Sequence, residues 1–130
     1  MASSPEHEPD PAFKLILSID VFVGSERRSR RSFVEPERLV IGRSSQSDIL
    51  FSSEESTVSS NHAEIVRTPA GFLLRDTDSR NGLYLPGGSE RIRELPLGVS
   101  ESCVDVTLGP GGPLCRVTVG CVVPFAGYLI

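Results

Sequence analysis

Three short segments of the sequence concentrate the side chains that can form hydrogen bonds. Residues 42–48 hold an arginine among serines, residues 56–61 hold serines, a threonine and an asparagine, and residues 76–82 read Asp-Thr-Asp-Ser-Arg-Asn-Gly. Together they offer guanidinium groups, small hydroxyls, a carboxamide and backbone N–H groups. A phosphate carried on a peptide needs charge-assisted donors for its oxygens and an amide beside them for the peptide backbone. The three segments therefore predict a phosphopeptide site if the fold brings them together.

Short strands must position these segments. In 103–108, Val104, Val106 and Leu108 alternate with polar residues, which is the period of a half-buried strand. Similar short runs, each bounded by Gly, Pro, Ser, Asn or Asp, predict strands at 13–23, 32–35, 38–41, 48–51, 62–67, 72–76, 83–85, 103–108 and 114–123. We find no convincing helical stripe over ten or more residues. The pattern predicts an all-β fold, an antiparallel β-sandwich or barrel, with the three polar segments at one edge.

Composition restricts the class of protein. The chain has 130 residues and a net charge of −4, which argues against a general attraction to nucleic acid. One basic residue is Lys14 and the other 12 are arginines.

Residues 1–11 are acidic and rich in proline, so we expect a disordered tail followed by one domain over 12–130. No apolar stretch is long enough to cross a membrane and no secretory signal is visible. Three cysteines, an odd number, predict reduced thiols in a cytoplasmic protein.

The polar segments carry a family resemblance. Gly42-Arg43-Ser44, then Ser59-Ser-Asn-His62, then Ser79-Arg-Asn81-Gly82 resemble the motifs Gly-Arg, Ser-x-x-His and Ser-x-Asn-Gly of the forkhead-associated (FHA) domain. The likeness covers residues 13–123 and places each motif at a strand boundary. It implies a β-sandwich of about eleven short strands that binds phosphothreonine peptides through loops at one end.

The resemblance also implies roles for individual residues. Arg43 would bind two phosphate oxygens, Ser59 would donate its hydroxyl to the same group, and Asn81 would hydrogen-bond the peptide backbone. The complete set of expected phosphopeptide-binding residues is Arg43, Ser44, Ser59, Ser60, Arg80 and Asn81. Gly42, His62 and Gly82 are implied to be structural residues of the binding loops. After Gly82 the sequence departs from the family, with Leu83 in place of threonine and Pro86-Gly-Gly in place of a second Asn-Gly.

Other chemistries fit the sequence less well. Ser59, His62 and Asp76 contain the elements of a nucleophilic triad, but a serine and a histidine three residues apart on one loop seldom meet correctly. Two histidines and three cysteines without Cys-x-x-Cys spacing give no expected metal site, and we expect no cofactor. Residues 24–31 predict a polar hairpin connection with four arginines, Arg27, Arg28, Arg30 and Arg31, that is either a solvated tip or a patch for an anionic partner.

The expected function is therefore that of a non-catalytic module that binds a phosphothreonine-containing protein in Ser/Thr kinase signalling. The five threonines all lie outside residues 1–11, so the ligand is expected on another chain, modified by a separate kinase. A scaffold that keeps the same fold but binds unmodified protein is the alternative. Contact with nucleic acid through the arginine hairpin is a third and weaker reading, and membrane insertion is not expected.

Overall fold

Two five-stranded sheets make up the protein in the computed structural model, which describes residues 14–98 and 103–122. The strands are β1 (Lys14–Val23), β2 (Glu26–Val34), β3 (Arg38–Gly42), β4 (Ile49–Leu50), β5 (Ala63–Thr68), β6 (Gly71–Asp76), β7 (Leu83–Tyr84), β8 (Glu94–Leu97), β9 (Val104–Leu108) and β10 (Leu114–Val122). The first sheet has the order β2-β1-β10-β9-β7 and the second has the order β4-β3-β5-β6-β8. The predicted tail at residues 1–11 lies outside the described residues.

The core lies between the inner faces of the two sheets. Alternate residues of β1 (Leu17, Ile19 and Val21) point inward, as do Ala63 and Ile65 of β5. The inward residues Val106 and Leu108 of β9 confirm the alternation predicted for that strand. Apolar burial on two facing sheets is the driving force of a sandwich. The predicted all-β antiparallel sandwich is therefore confirmed, with one short exception, since β3 and β4 pair in parallel.

The structure corrects the expected hairpin at residues 24–31. A tight turn at Gly24 and Ser25 joins β1 to β2, and β2 already begins at Glu26, so the four arginines lie on a strand and not on a hairpin tip. Gly24 has φ = +64°, a conformation that glycine adopts without steric cost. Because β2 is an edge strand, it needs no apolar residues, and its charges discourage pairing with other chains.

A second edge strand was missed from the sequence. Strand β8 contains Pro96, which would interrupt an internal strand but is tolerated at an edge. Both wrong predictions have the same cause: these two edge strands carry charges or a proline where an internal strand would need apolar residues, so their sequences lack the pattern of a strand.

An ion-pair cluster around one buried carboxylate ties together the outer face of the second sheet. Glu64 on β5, whose side chain is 8% exposed, accepts hydrogen bonds from Arg38 Nε on β3 and Arg75 Nε on β6, each at 2.6 Å. Burial favours the neutral carboxyl of Glu64, but these two guanidinium groups outweigh it and lower its pKa. The cluster therefore links three neighbouring strands only while Glu64 is ionised.

We expect the stability of the domain to depend on this ionisation. Since the folded chain holds Glu64 ionised at a lower pH than the unfolded chain does, the contribution is complete above the ordinary pKa of a glutamate and is lost as the pH falls below it, through the lowered pKa of the folded state. Glu64→Gln should lower the free energy of unfolding by about 1–3 kcal/mol at pH 7 and make its decline at acid pH shallower. Urea unfolding over a pH series measures both effects. Glu90→Gln, at an exposed site with no ion pair among the described residues, is the control; equal pH profiles for the two variants would contradict the assignment.

Candidate functional site

Three loops meet at one end of the sandwich. Loop 1 (residues 43–48) follows β3, loop 2 (residues 51–62) follows β4, and loop 3 (residues 77–82) follows β6. The backbone N–H groups of Arg43 and Ser44 donate to the carbonyls of Ser59 and Ser60, at 3.1 and 3.0 Å, which joins loop 1 to loop 2. The N–H of Arg80 donates to Ser59 Oγ at 3.0 Å, which joins loop 3 to loop 2. The three polar segments are therefore brought together as their strand positions predict.

Gly42 allows loops 1 and 2 to approach each other. A Cβ atom at this position would lie 2.1 Å from the carbonyl oxygen of Ser60 and 2.8 Å from its carbonyl carbon. Both are backbone atoms, so a side chain could be accommodated only if the loops moved apart. The hydrogen bonds that begin at Arg43, the next residue, depend on this contact.

His62 is the buried link between loops 2 and 3. Its side chain is fully buried; its Nδ1 accepts a hydrogen bond from the N–H of Ser59 at 3.0 Å, and its Nε2 lies 2.8 Å from the carbonyl oxygen of Gly82. An Nδ1 that accepts must be unprotonated, so the proton is on Nε2 and is donated to Gly82. Burial lowers the pKa of His62, which favours this neutral tautomer.

Asp76 and Arg91 shape loop 3. Asp76 Oδ1 accepts from the N–H of Ser79 at 2.9 Å, and Arg91 Nη2 donates to Asp76 Oδ2 at 2.9 Å and to the carbonyl of Ser79. Ser79 Oγ accepts from the N–H of Gly82 at 2.9 Å, where Gly82 has φ = +83°. Sequence reasoning missed Arg91, which is distant along the chain and belongs to none of the three motifs. It reaches loop 3 because Ile92 pairs with Leu83 in an isolated bridge.

These contacts leave an open groove of about 530 Å³, here called the arginine groove. It is lined by Arg43, Ser56, Val58, Ser59, Ser60, Asp78, Arg80 and Asn81. Five of the six residues expected to bind a phosphopeptide are therefore in one depression. Its two guanidinium groups and three hydroxyls are hydrogen-bond donors suited to an oxyanion, and Asp78 is the one carboxylate among the lining residues.

Three side chains of the arginine groove, those of Arg43, Ser59 and Asn81, are already held in place by hydrogen bonds. Arg43 Nε donates to the carbonyl of Val58, and Asn81 Nδ2 donates to the carbonyl of Thr57 at 3.0 Å. Ser59 Oγ accepts from the N–H of Arg80, which leaves its own proton free to be donated. The remaining guanidinium N–H groups of Arg43 have no hydrogen-bond partner among the described residues. A bound anion would therefore meet donors that need little further ordering.

Ser44 lies apart from the other five. It lines a neighbouring groove of about 630 Å³ together with Gln46, Asn61 and Thr77. Its Oγ accepts a hydrogen bond from the N–H of Gln46 at 3.2 Å. Consecutive residues of an extended segment point to opposite sides, so Arg43 and Ser44 face different grooves.

The nucleophilic triad considered above is not assembled. His62 Nδ1 bonds to the backbone of Ser59 and not to its hydroxyl, and the carboxylate of Asp76 bonds to Ser79 and Arg91.

Within residues 14–98 and 103–122, no group of three or more His, Cys, Asp or Glu side chains is placed to hold a metal ion. The same residues include no helix long and apolar enough to cross a membrane.

Much of the β2 arginine cluster is neutralised within the fold. Arg30 forms a two-point contact with Asp20 of β1, at 2.7 and 3.1 Å, and these hydrogen bonds lower the pKa of Asp20. Arg27 Nη1 lies 3.9 Å from Asp20 Oδ1, and Arg28 Nε lies 3.3 Å from Glu26 Oε1. Arg31 donates to the carbonyl of Asp48 at 3.0 Å, which orients its guanidinium without neutralising the charge. These contacts support the structural reading of the cluster over an anion-binding one.

The fold and the site define a class of protein: a β-sandwich that presents a cationic, hydrogen-bonding groove on loops at one end. The FHA domain family profile matches residues 39–103, and the chain belongs to this family. The family consists of protein-interaction modules that bind phosphothreonine. No curated protein matches the chain in sequence.

Solved FHA domains have the same fold. The Mycobacterium tuberculosis Rv1747 FHA-1 structure is 23% identical, with a TM-score of 0.62 over 80% of this chain and 97% of that one. The FHA domain of the CT664 protein from Chlamydia trachomatis is 20% identical, with a TM-score of 0.59 over 81% and 96%. A third, from a structural and functional analysis of phosphothreonine-dependent FHA domain interactions, is 22% identical, with a TM-score of 0.55 over 81% and 95%. The expected resemblance is confirmed.

Gly42→Ala tests the close approach of loops 1 and 2. Because the new Cβ would overlap the Ser60 carbonyl, we expect the free energy of unfolding to fall by about 1–3 kcal/mol. Gly120→Ala on β10 is the matched control, since a Cβ there meets no atom within 4 Å. Urea unfolding compares the two variants, and equal stabilities would show that the loops do not require glycine at position 42.

Proposed function

We propose that this FHA domain binds a phosphothreonine-containing segment of another protein chain in the arginine groove. The observation that carries the proposal is the convergence of Arg43, Ser59, Arg80 and Asn81 from three separate loops on one open groove. A phosphate adds about −1.5 to −2 charge and three strong acceptor oxygens at pH 7, which matches two guanidinium groups beside hydroxyl donors.

Each residue has a role in the proposal that follows from its contacts. Arg43 presents its free N–H groups to two phosphate oxygens, while its bond to the Val58 carbonyl fixes the direction of the guanidinium. Ser59 donates the proton that its own hydrogen bond from Arg80 leaves available. Asn81, held by the Thr57 carbonyl, places its amide beside the phosphate for the peptide backbone. Ser60 and Arg80 are exposed and add donors at the rim.

The proposed role is signalling through a binding event and not through catalysis. The partner would be phosphorylated by a Ser/Thr kinase, and the domain would read that modification. A cytoplasmic location fits the three free thiols, of which Cys115 is buried and Cys103 and Cys121 are exposed. The alternative is a scaffold that keeps the fold but binds unmodified protein. Phosphatase treatment of a lysate separates the two functions, because only a phosphothreonine-binding domain would lose its captured partner.

Arg43→Ala tests the proposed phosphate contact. Hydrogen bonds to a charged group are worth about 1.5–3 kcal/mol each. We therefore expect the loss of the Arg43 guanidinium to weaken binding of the tightest peptide from a phosphothreonine library by about 2–4 kcal/mol, or roughly 30- to 1,000-fold. Isothermal titration calorimetry measures the affinity, and thermal unfolding checks that the fold is intact.

Arg93→Ala is the control for charge, because Arg93 is exposed and does not line the arginine groove. Arg43→Lys retains the charge but loses the planar fork, so it should bind more weakly than the native chain. Undiminished affinity of a folded Arg43→Ala variant would contradict the role given to Arg43.

A further inference from the structure

Ser56 is an exposed serine on the wall of the arginine groove, and none of the three motifs includes it. It lies in loop 2 within the sequence Ser52-Ser-Glu-Glu-Ser56-Thr. The N–H of Val58 donates to the carbonyl of Glu55 at 3.0 Å, so residues 55–58 form a tight turn in which Ser56 is the second residue.

Two ligand-binding side chains hold this same turn. Asn81 Nδ2 donates to the carbonyl of Thr57 and Arg43 Nε donates to the carbonyl of Val58. Ser56 is therefore one residue from the group that Asn81 holds and two residues from the group that Arg43 holds. Ser56 also lines a smaller depression on the side of Glu54 and Glu55, so the negative charge of a phosphate on its hydroxyl would favour the groove in which Arg43 and Arg80 lie.

We propose that Ser56 is a phosphorylation site whose phosphate occupies the arginine groove and excludes the phosphothreonine ligand. This inference rests on the proposed function for its consequence, but the modified residue and its contacts can be tested without any peptide. The site would make the domain respond to two kinases, one that creates the ligand and one that closes the groove.

The chemistry is ordinary phosphoryl transfer from a nucleoside triphosphate. Ser56 Oγ forms a bond to the γ-phosphorus, the bond to the β-phosphate oxygen breaks, the nucleoside diphosphate leaves, and the hydroxyl proton passes to the base of the kinase. Glu54 and Glu55 precede the serine, so the kinase must accept acidic residues on that side. A phosphate attached to loop 2 competes at the high effective concentration of a short tether.

Ser53 provides a matched control. It is an exposed serine in the same loop, three residues before Ser56, and it lines neither groove. Phosphoserine at position 53 adds the same charge to the same loop, so a difference between the two modified proteins reports position and not net charge.

The experiment installs phosphoserine genetically at position 56 or at position 53 in the full chain. In ³¹P NMR titrations, contact with Arg43 and Arg80 should lower the phosphate titration midpoint at position 56 by about one pH unit relative to position 53. Arg43→Ala should move the midpoint at position 56 back towards the control. In calorimetry, phosphorylation at position 56 should weaken phosphothreonine-peptide binding about tenfold or more, and phosphorylation at position 53 should not.

Equal ³¹P midpoints at the two positions, or a midpoint at position 56 that Arg43→Ala does not change, would overturn the inference. Equal peptide affinities of the two phosphorylated proteins would overturn it as well. If the unmodified chain binds no phosphothreonine peptide while the midpoint at position 56 is still lowered, the proposed function fails and the phosphate contact in the groove stands.

Discussion

A single buried imidazole holds the binding end of this domain together. The ring of His62 accepts from the N–H of Ser59 and donates to the carbonyl of Gly82. The main-chain N–H of His62 donates to the carbonyl of Ile41, and its main-chain carbonyl accepts from the N–H of Thr77. These four hydrogen bonds connect the end of β3 with loops 2 and 3. Two of the four come from the ring, and because the ring is fully buried, its loss would leave the Ser59 N–H and the Gly82 carbonyl unpaired at a cost of about 1–3 kcal/mol each. The groove is therefore fixed by a residue that does not line it.

The distribution of arginines explains how an acidic chain can present a cationic groove. Most arginines with described contacts are matched within the fold: Arg38 and Arg75 with Glu64, Arg91 with Asp76, and Arg116 with Asp105. Arg43 instead bonds to a carbonyl, which orients the guanidinium without neutralising its charge. Local placement, and not the net charge of −4, determines what the groove can attract.

The sequence was sufficient to predict the internal strands and the meeting of the three loops, because alternation and motif spacing are local properties. It was insufficient for β2 and β8, since edge strands can be charged or contain proline. Arg91 had no local signature either, because its relation to the groove depends on residues far along the chain. Ser56 lies in the polar segment 56–61, but none of the three family motifs singles it out. The sequence also did not show which groove each residue of a motif lines. Arg43 lines the arginine groove, whereas the next residue, Ser44, lines the neighbouring groove.

The departures from the family pattern that follow Gly82 fall on the scaffold and not on the groove. Leu83 is fully buried and pairs with Leu108 of β9, so an apolar side chain at this position adds to the core. The Pro86-Gly-Gly segment forms a turn closed by the N–H of Gly88 and the carbonyl of Leu85, and it does not line the arginine groove. The polar groups that line the groove and the packing beneath them are thus separable in this fold. The loops can keep their arrangement while the strands that support them exchange polar residues for apolar ones.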